Sequence, residues 1–177
     1  MASAVFPDNT VLCNFACVNR VDLLGDHLRG RGKWVEAVAA EAVASAGHLP
    51  DLRRLIDAGW LGEPIEITGE ADMRAVDRLR IDVFGGTRAR PLQHLGEAQS
   101  CFLLTSDPRW SDATWVTDDR DAYEYARRRG ILTRGTVDLF RGMVADSDIT
   151  AESAFAILQE IDERRALDLP EGPLGLQ

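Results

Sequence analysis

The sequence predicts an α/β fold with a central, mainly parallel sheet, and three observations carry that prediction. Short apolar segments, Val5-Phe6 and Trp115-Val116, are far too brief for helices and are separated by amphipathic stretches of helical period. The stretches between them are long enough to cross over a sheet, as parallel strands require. Each apolar segment also runs directly into acid, Asp8 in one case and Asp118-Asp119 in the other.

The elements follow in order. Ser3 to Pro7 reads as a short buried strand stopped by Pro7, and Asn9 to Val18 resumes at helical spacing. Val35 to Ala44 is rich in alanine and reads as helix. Pro50 opens another helix, with Leu52, Leu55 and Ile56 on one face and Gly59 as its stop. Ile65-Glu66-Ile67 is too short to assign. Met73, Val76, Leu79 and Val83 recur at helical spacing between Glu70 and Phe84, and Gly85-Gly86 ends that element. Pro91 to Leu104 reads as helix with Glu97 in its first turns. Ala113 to Thr117 is the second strand, followed by a helix through Arg129 and a short apolar stretch, Ile131-Leu132. Thr136 reads as the cap of a helix with Val137, Phe140, Met143 and Val144 inside. Thr150 caps a last helix with an Ala154, Ile157, Leu158 and Ile161 stripe, and the tail LPEGPLGLQ is expected to be loose.

At 177 residues the chain has the length of one domain and buries enough surface to need neither disulfide nor structural metal. Hydrophobic residues at 45% and charged residues at 28% exclude a disordered or fibrous chain. No apolar run suits a bilayer and MASAVFPDNTVL lacks the pattern of a signal peptide, so no membrane association is expected. Cys13, Cys17 and Cys101 are odd in number and form no disulfide framework, which together with the rest predicts a cytoplasmic protein. The net charge of −9 excludes bulk electrostatic coating of nucleic acid but leaves room for a local basic patch.

Ligands of open α/β sheets collect at the carboxyl ends of strands, where Asp8, Asp118 and Asp119 are expected. Carboxylates gathered there repel one another unless a cation joins them, and hard oxygen donors select Mg²⁺ or Mn²⁺. Taken singly, an Asp at a strand-to-helix junction is more commonly a helix N-cap.

Five segments carry a resemblance. F-P-D-N-T-V-L at Phe6 to Leu12 resembles the opening motif of PIN domains, and E-A-V-A-A-E-A at Glu36 to Ala42 is similar to their second motif. H-L-G-E-A-Q-S at His94 to Ser100 and W-V-T-D-D-R-D-A at Trp115 to Ala122 resemble the third and fourth. R-G-I-L-T-R-G-T-V-D-L-F, Arg129 to Phe140, resembles the glycine-threonine passage that follows them. The resemblance implies a three-layer α/β/α PIN-like fold, with a nuclease domain over 1–145 and a C-terminal helix and tail, 146–177, packed on it. It implies a metal-dependent endoribonuclease of the kind found as toxins of bacterial toxin–antitoxin pairs. Asp8, Glu97 and Asp118 would be the main Mg²⁺ or Mn²⁺ ligands, Asp119 could share that role, and Glu41 would help position metal or water. Glu36 competes with Glu41 for the second position. RNA as substrate, a small antitoxin and a homodimer are the implied partners.

Asn9 and Thr10 either orient Asp8 or simply begin the helix. His27, His48 and His94 show no zinc spacing, and His94 reads as a surface histidine. Cys13 and Cys17 read as small core residues. Arg127, Arg128 and Arg129, with Arg120 and Arg134, either form an RNA-phosphate patch or are a solvated helix end. Gly30-Arg31-Gly32 and Gly85-Gly86 make no phosphate-binding loop, and no G-x-S-x-G elbow occurs. The rival class is an inactive PIN-like binding protein, disfavoured because four mutually repelling acids would have no use in it. A phosphoryl-transfer enzyme of another α/β family ranks last, since D-N-T rather than D-x-D follows the first strand.

Overall fold

A computed structural model describes residues 3–177; the opening two residues of the expected 1–145 domain lie outside it. Three strands, β1 (Val5–Pro7), β2 (Thr114–Val116) and β3 (Leu132–Arg134), form a parallel sheet in the order β1-β2-β3. Val5 pairs with Thr114 and Thr114 with Leu132. The helices are α1 (Asn9–Cys17), α2 (Val21–Leu28), α3 (Glu36–Ser45), α4 (Asp51–Asp57), α5 (Glu70–Asp82) and α6 (Leu95–Ser106) before β2. After it come α7 (Arg120–Arg128), α8 (Thr136–Ala145) and α9 (Ala151–Arg165), with 3₁₀ turns at Pro108–Trp110 and Pro173–Leu176. None of the described helices is long and apolar enough to cross a membrane.

Successive strand residues point to opposite faces, so a strand buried throughout is covered on both sides. Val5, Phe6 and Pro7 are all buried, as are Trp115 and Val116. The mixed α/β architecture is therefore consistent with helices on either face of the sheet. The core runs from Phe6 and Trp115 through Phe15, whose ring stacks on Phe140 at 5.1 Å, to Leu158 and Ile161 of α9. The three thiols are buried and free, as expected of core residues. Burial pushes the Cys101 thiol up to about 11, which leaves it protonated and unreactive at neutral pH.

Several local expectations need correction. Helix α2 was not anticipated: Arg20 provides no side-chain cap, and Gly25 interrupts the pattern. That glycine lets Trp60 approach, since a Cβ there would stand 2.5 Å from the indole. Helix α6 begins at Leu95, not Pro91, because residues 91–94 are spent in turns and His94 adopts φ 58°. Thr136 is not a cap: Gly135 holds that position, its N–H donating to Asp138 Oδ2 at 3.0 Å, and Thr136 is freed for another role. Val137 and Val144 are only half-buried, and Leu139 takes the inner position instead. The tail is not loose, since Leu176 is 1% exposed in the main core and Arg141 Nε donates to the Gly175 carbonyl. Thr150 does cap α9, accepting from the Ser153 N–H. Ile65 forms a single parallel bridge with Val35 and nothing longer.

One buried charge organises the approach to α6. The Arg80 guanidinium binds Asp77 Oδ1 at 2.7 Å and donates to the carbonyls of Thr87 and Arg90 at 3.0 and 3.1 Å. Gly86 lies against it so closely that a Cβ would come within 2.8 Å of the guanidinium. Arg80→Ala is expected to destabilise the protein by about 2–3 kcal/mol, because two carbonyls lose their donor and the packed stem is removed. Arg80→Lys should fail to rescue it, since one ammonium cannot span all three acceptors. Thermal melts and limited proteolysis of the 85–94 segment check both; unchanged melting would contradict the clamp.

Candidate active site

Parallel strands align their carboxyl ends, and here that edge gathers the acids. Asp8 follows β1 directly, and its backbone N–H donates to the Val116 carbonyl at 2.9 Å, continuing the ladder. The side chain caps α1, accepting from the Val11 N–H at 2.8 Å. The capping role is therefore real, but it does not exhaust the residue. Burial pushes the Asp8 carboxyl up to about 7, against the pull of Thr117 and the Val11 N–H, and repulsion from Asp118 and Glu97 adds to the rise.

Asp118 follows β2 by two residues and turns toward the start of α8. Its Oδ1 accepts from the Thr136 backbone N–H at 2.7 Å, and its Oδ2 accepts from the Thr136 hydroxyl and from Asn14 Nδ2, the latter at 2.8 Å. Asn14 is 2% exposed and is oriented in turn by Arg165, whose Nε donates to Asn14 Oδ1 at 2.7 Å. Helices α1, α8 and α9 together thus fix one carboxylate. Gly135 leaves it room, since a Cβ there would lie 3.0 Å from Asp118 Oδ1.

Asp119 is otherwise employed. It caps α7, accepting from the Ala122 N–H at 2.7 Å. Of the adjacent pair, Asp118 is the one that raises the Asp8 carboxyl, and Asp119 does not figure among its causes.

Helices α3 and α6 bring Glu41 and Glu97 together. Gly96 permits the contact: a Cβ there would stand 3.0 Å from Val38 Cγ2 and 3.2 Å from Glu41 Oε1. Burial pushes Glu41 up to about 7, repulsion from Glu97 adds to it, and the Gly96 N–H and His94 oppose it. Glu36 points elsewhere, accepting from Gln99 Nε2 at 2.9 Å, while Gln99 Oε1 accepts from the Ala37 N–H at 3.0 Å. Glu41 rather than Glu36 is therefore the neighbour of Glu97. His94 is partly exposed, with its Nδ1 3.4 Å from Glu97 Oε1. Asn9 and Thr10 open α1, with Asn9 donating to Ser45 at 3.2 Å.

Asp8, Glu41, Glu97 and Asp118 consequently form a chain of electrostatic neighbours contributed by separate parts of the fold. Asn14, Thr117, Thr136 and Arg165 support it and were not singled out in the sequence as site residues. A buried Asn amid the apolar run Val11 to Phe15 was the one available signal.

The donor set consists of hard oxygens and suits Mg²⁺ or Mn²⁺. Asp8, Glu97 and Asp118 do not converge as tightly as His27, Asp146 and Asp148, whose potential ligand atoms lie within 4.8 Å of one another. Magnesium keeps several waters, so ligation across wider gaps through water is ordinary for it. The His27 cluster could hold a metal ion on geometry, yet its charges already have partners. His27 Nδ1 lies 2.8 Å from Asp148 Oδ2, and Arg29 reaches Asp148 Oδ1 at 2.8 Å and Asp146 at 3.7 Å. The His27 contact, then Arg29, holds Asp148 below its ordinary range, as expected of an ion-paired tie between α2 and the loop before α9.

No family model, curated protein or solved structure matches the chain.

Proposed function

We propose that the protein is a metal-dependent endoribonuclease with a PIN-like site, using Mg²⁺ or Mn²⁺. The observation that carries the reading is the meeting of Asp8, Glu41, Glu97 and Asp118 at the carboxyl edge of a parallel sheet, with two of the four pushed up to about 7. A buried acid that cannot ionise comfortably alone is one that a divalent cation would relieve. When bound, such a cation lowers the pKa of water and stabilises charge on a phosphodiester's oxygens. Asp8, Glu97 and Asp118 would hold it, Glu41 would orient water beside Glu97, and Asn14 with Thr136 would keep Asp118 in place.

An inactive binding protein is the rival reading, and the retained acids weigh against it. Within the toxin reading, the apolar strip of Ala37, Ala40, Ala44, Leu92 and Leu95 beside Glu41 is the surface an antitoxin or second copy would cover.

Incubation of a mixed RNA pool with Mn²⁺, Mg²⁺ or chelator tests the proposal. Cleavage is expected with either metal and none with chelator. Cleavage that survives chelator, or calorimetry showing no Mn²⁺ binding, would sink it.

A further inference from the structure

A groove of about 800 Å³ leads away from Asp118 along the exposed face of α7, and Asp168 of the C-terminal segment also lines it. Its wall carries Arg120, Tyr123, Arg127 and Arg128. Arg120 is occupied, its Nε lying 3.2 Å from Glu124. Among the described residues Arg127 and Arg128 form no ion pair. Arg127 instead lies over the Tyr123 ring, its guanidinium carbon 5.9 Å from the centroid. The groove is therefore polarised. Acid stands at the end beside the sheet, where Asp138 is also neutralised by Arg141 at 2.8 Å. Uncompensated positive charge stands about 12 Å away at the other end of the helix.

We infer that this groove carries an unpaired polynucleotide strand, with Arg127 and Arg128 on its backbone phosphates, Tyr123 against a base, and the strand continuing to Asp118. The inference rests on the nuclease reading for what happens at Asp118, but not for the binding itself. Two features favour an unpaired strand. An aromatic ring with a guanidinium over it is a platform for a base that has left its stack, which a duplex does not offer. The chain's net charge of −9 repels the denser charge of a duplex, so attraction has to be local.

The test is fluorescence anisotropy in EDTA at low salt with labelled single-stranded RNA, the DNA oligomer of the same sequence, and the RNA duplex. Arg127→Ala/Arg128→Ala should weaken single-strand binding about tenfold and lower the slope of log affinity against log salt by about 1.4. Tyr123→Ala should weaken binding about fivefold or more, with Tyr123→Phe close to wild type. Arg53→Ala/Arg74→Ala removes equal charge elsewhere and should change little. The RNA and DNA arms tell which polynucleotide the groove prefers. Equal loss in both arginine pairs, duplex binding as tight as single strand, or no binding of either single strand would overturn the inference. Strand binding with these dependences but no metal-dependent cleavage would sink the nuclease reading and leave the groove standing. Cleavage indifferent to Arg127 and Arg128 would do the reverse.

Discussion

Asp8→Asn is expected to abolish metal-dependent cleavage and, in chelator at pH 8, to melt roughly 5–10 °C above wild type. Loss of activity follows from removing a ligand charge. The gain in stability follows from burial. The folded-state pKa of Asp8 is pushed up to about 7 from an ordinary 3.8, so between those values the folded protein binds the extra proton. Stability from that protonation is complete below about pH 4 and is lost as pH rises through about 7. At pH 8 the wild type holds a buried carboxylate at a cost on the order of 2–4 kcal/mol, which a neutral amide avoids. Asn remains a good N-cap for the Val11 N–H, so α1 keeps its start. Near pH 4 the two proteins should melt alike. Adding Mn²⁺ at pH 8 should raise wild type and leave Asp8→Asn unmoved. Coincident melts at pH 8 without metal would show that the acids do not strain the site.

The second large effect separates two neighbours. Asp118→Asn should lower cleavage roughly 10²-fold or more, the scale seen when one charge-stabilising group is removed from a reacting centre. Asp119→Asn should leave cleavage at the wild-type level. Both variants keep the backbone contact: an amide oxygen still accepts from the Thr136 N–H at position 118 and from the Ala122 N–H at position 119, although at 118 the amide nitrogen replaces the oxygen that accepts from Asn14. Only the first removes charge from the group that repels Asp8. Initial rates with Mn²⁺ on one RNA decide it, and equal losses in the two variants would refute the assignment.

The sequence carried the acids that follow strands, because a strand of apolar residues ending in Asp marks the sheet's carboxyl edge whatever surrounds it. Spacing alone left Glu36 and Glu41 open and only the pattern V-A-A-E favoured Glu41; that Gly96 lies against Glu41 depends on packing that brings α6 to α3. Asn14, Thr136 and Arg165 were equally out of reach, since their partners lie far along the chain. Helix α2 escaped notice for a related reason: Gly25 weakens the local pattern to admit Trp60. Strand β3 is three residues long, and its alternation of exposed Leu132 and Arg134 around buried Thr133 is too brief to separate from a loop. Helices α4, α5 and α9 were plain because period and stop signals are local.

The register of β1 on β2 also has a kinetic consequence. Val5 finds its partner at Thr114, so the sheet closes only after most of the intervening chain has been drawn into a loop. Such non-local pairing carries a high entropic cost before any contact rewards it, and folding is correspondingly slow. Helices α1 to α6 are built largely from neighbours in sequence and can form beforehand. Asp8 comes beside Asp118 in that same closure. The mutual repulsion of the acids therefore opposes the step that limits folding, and relieving it should speed folding.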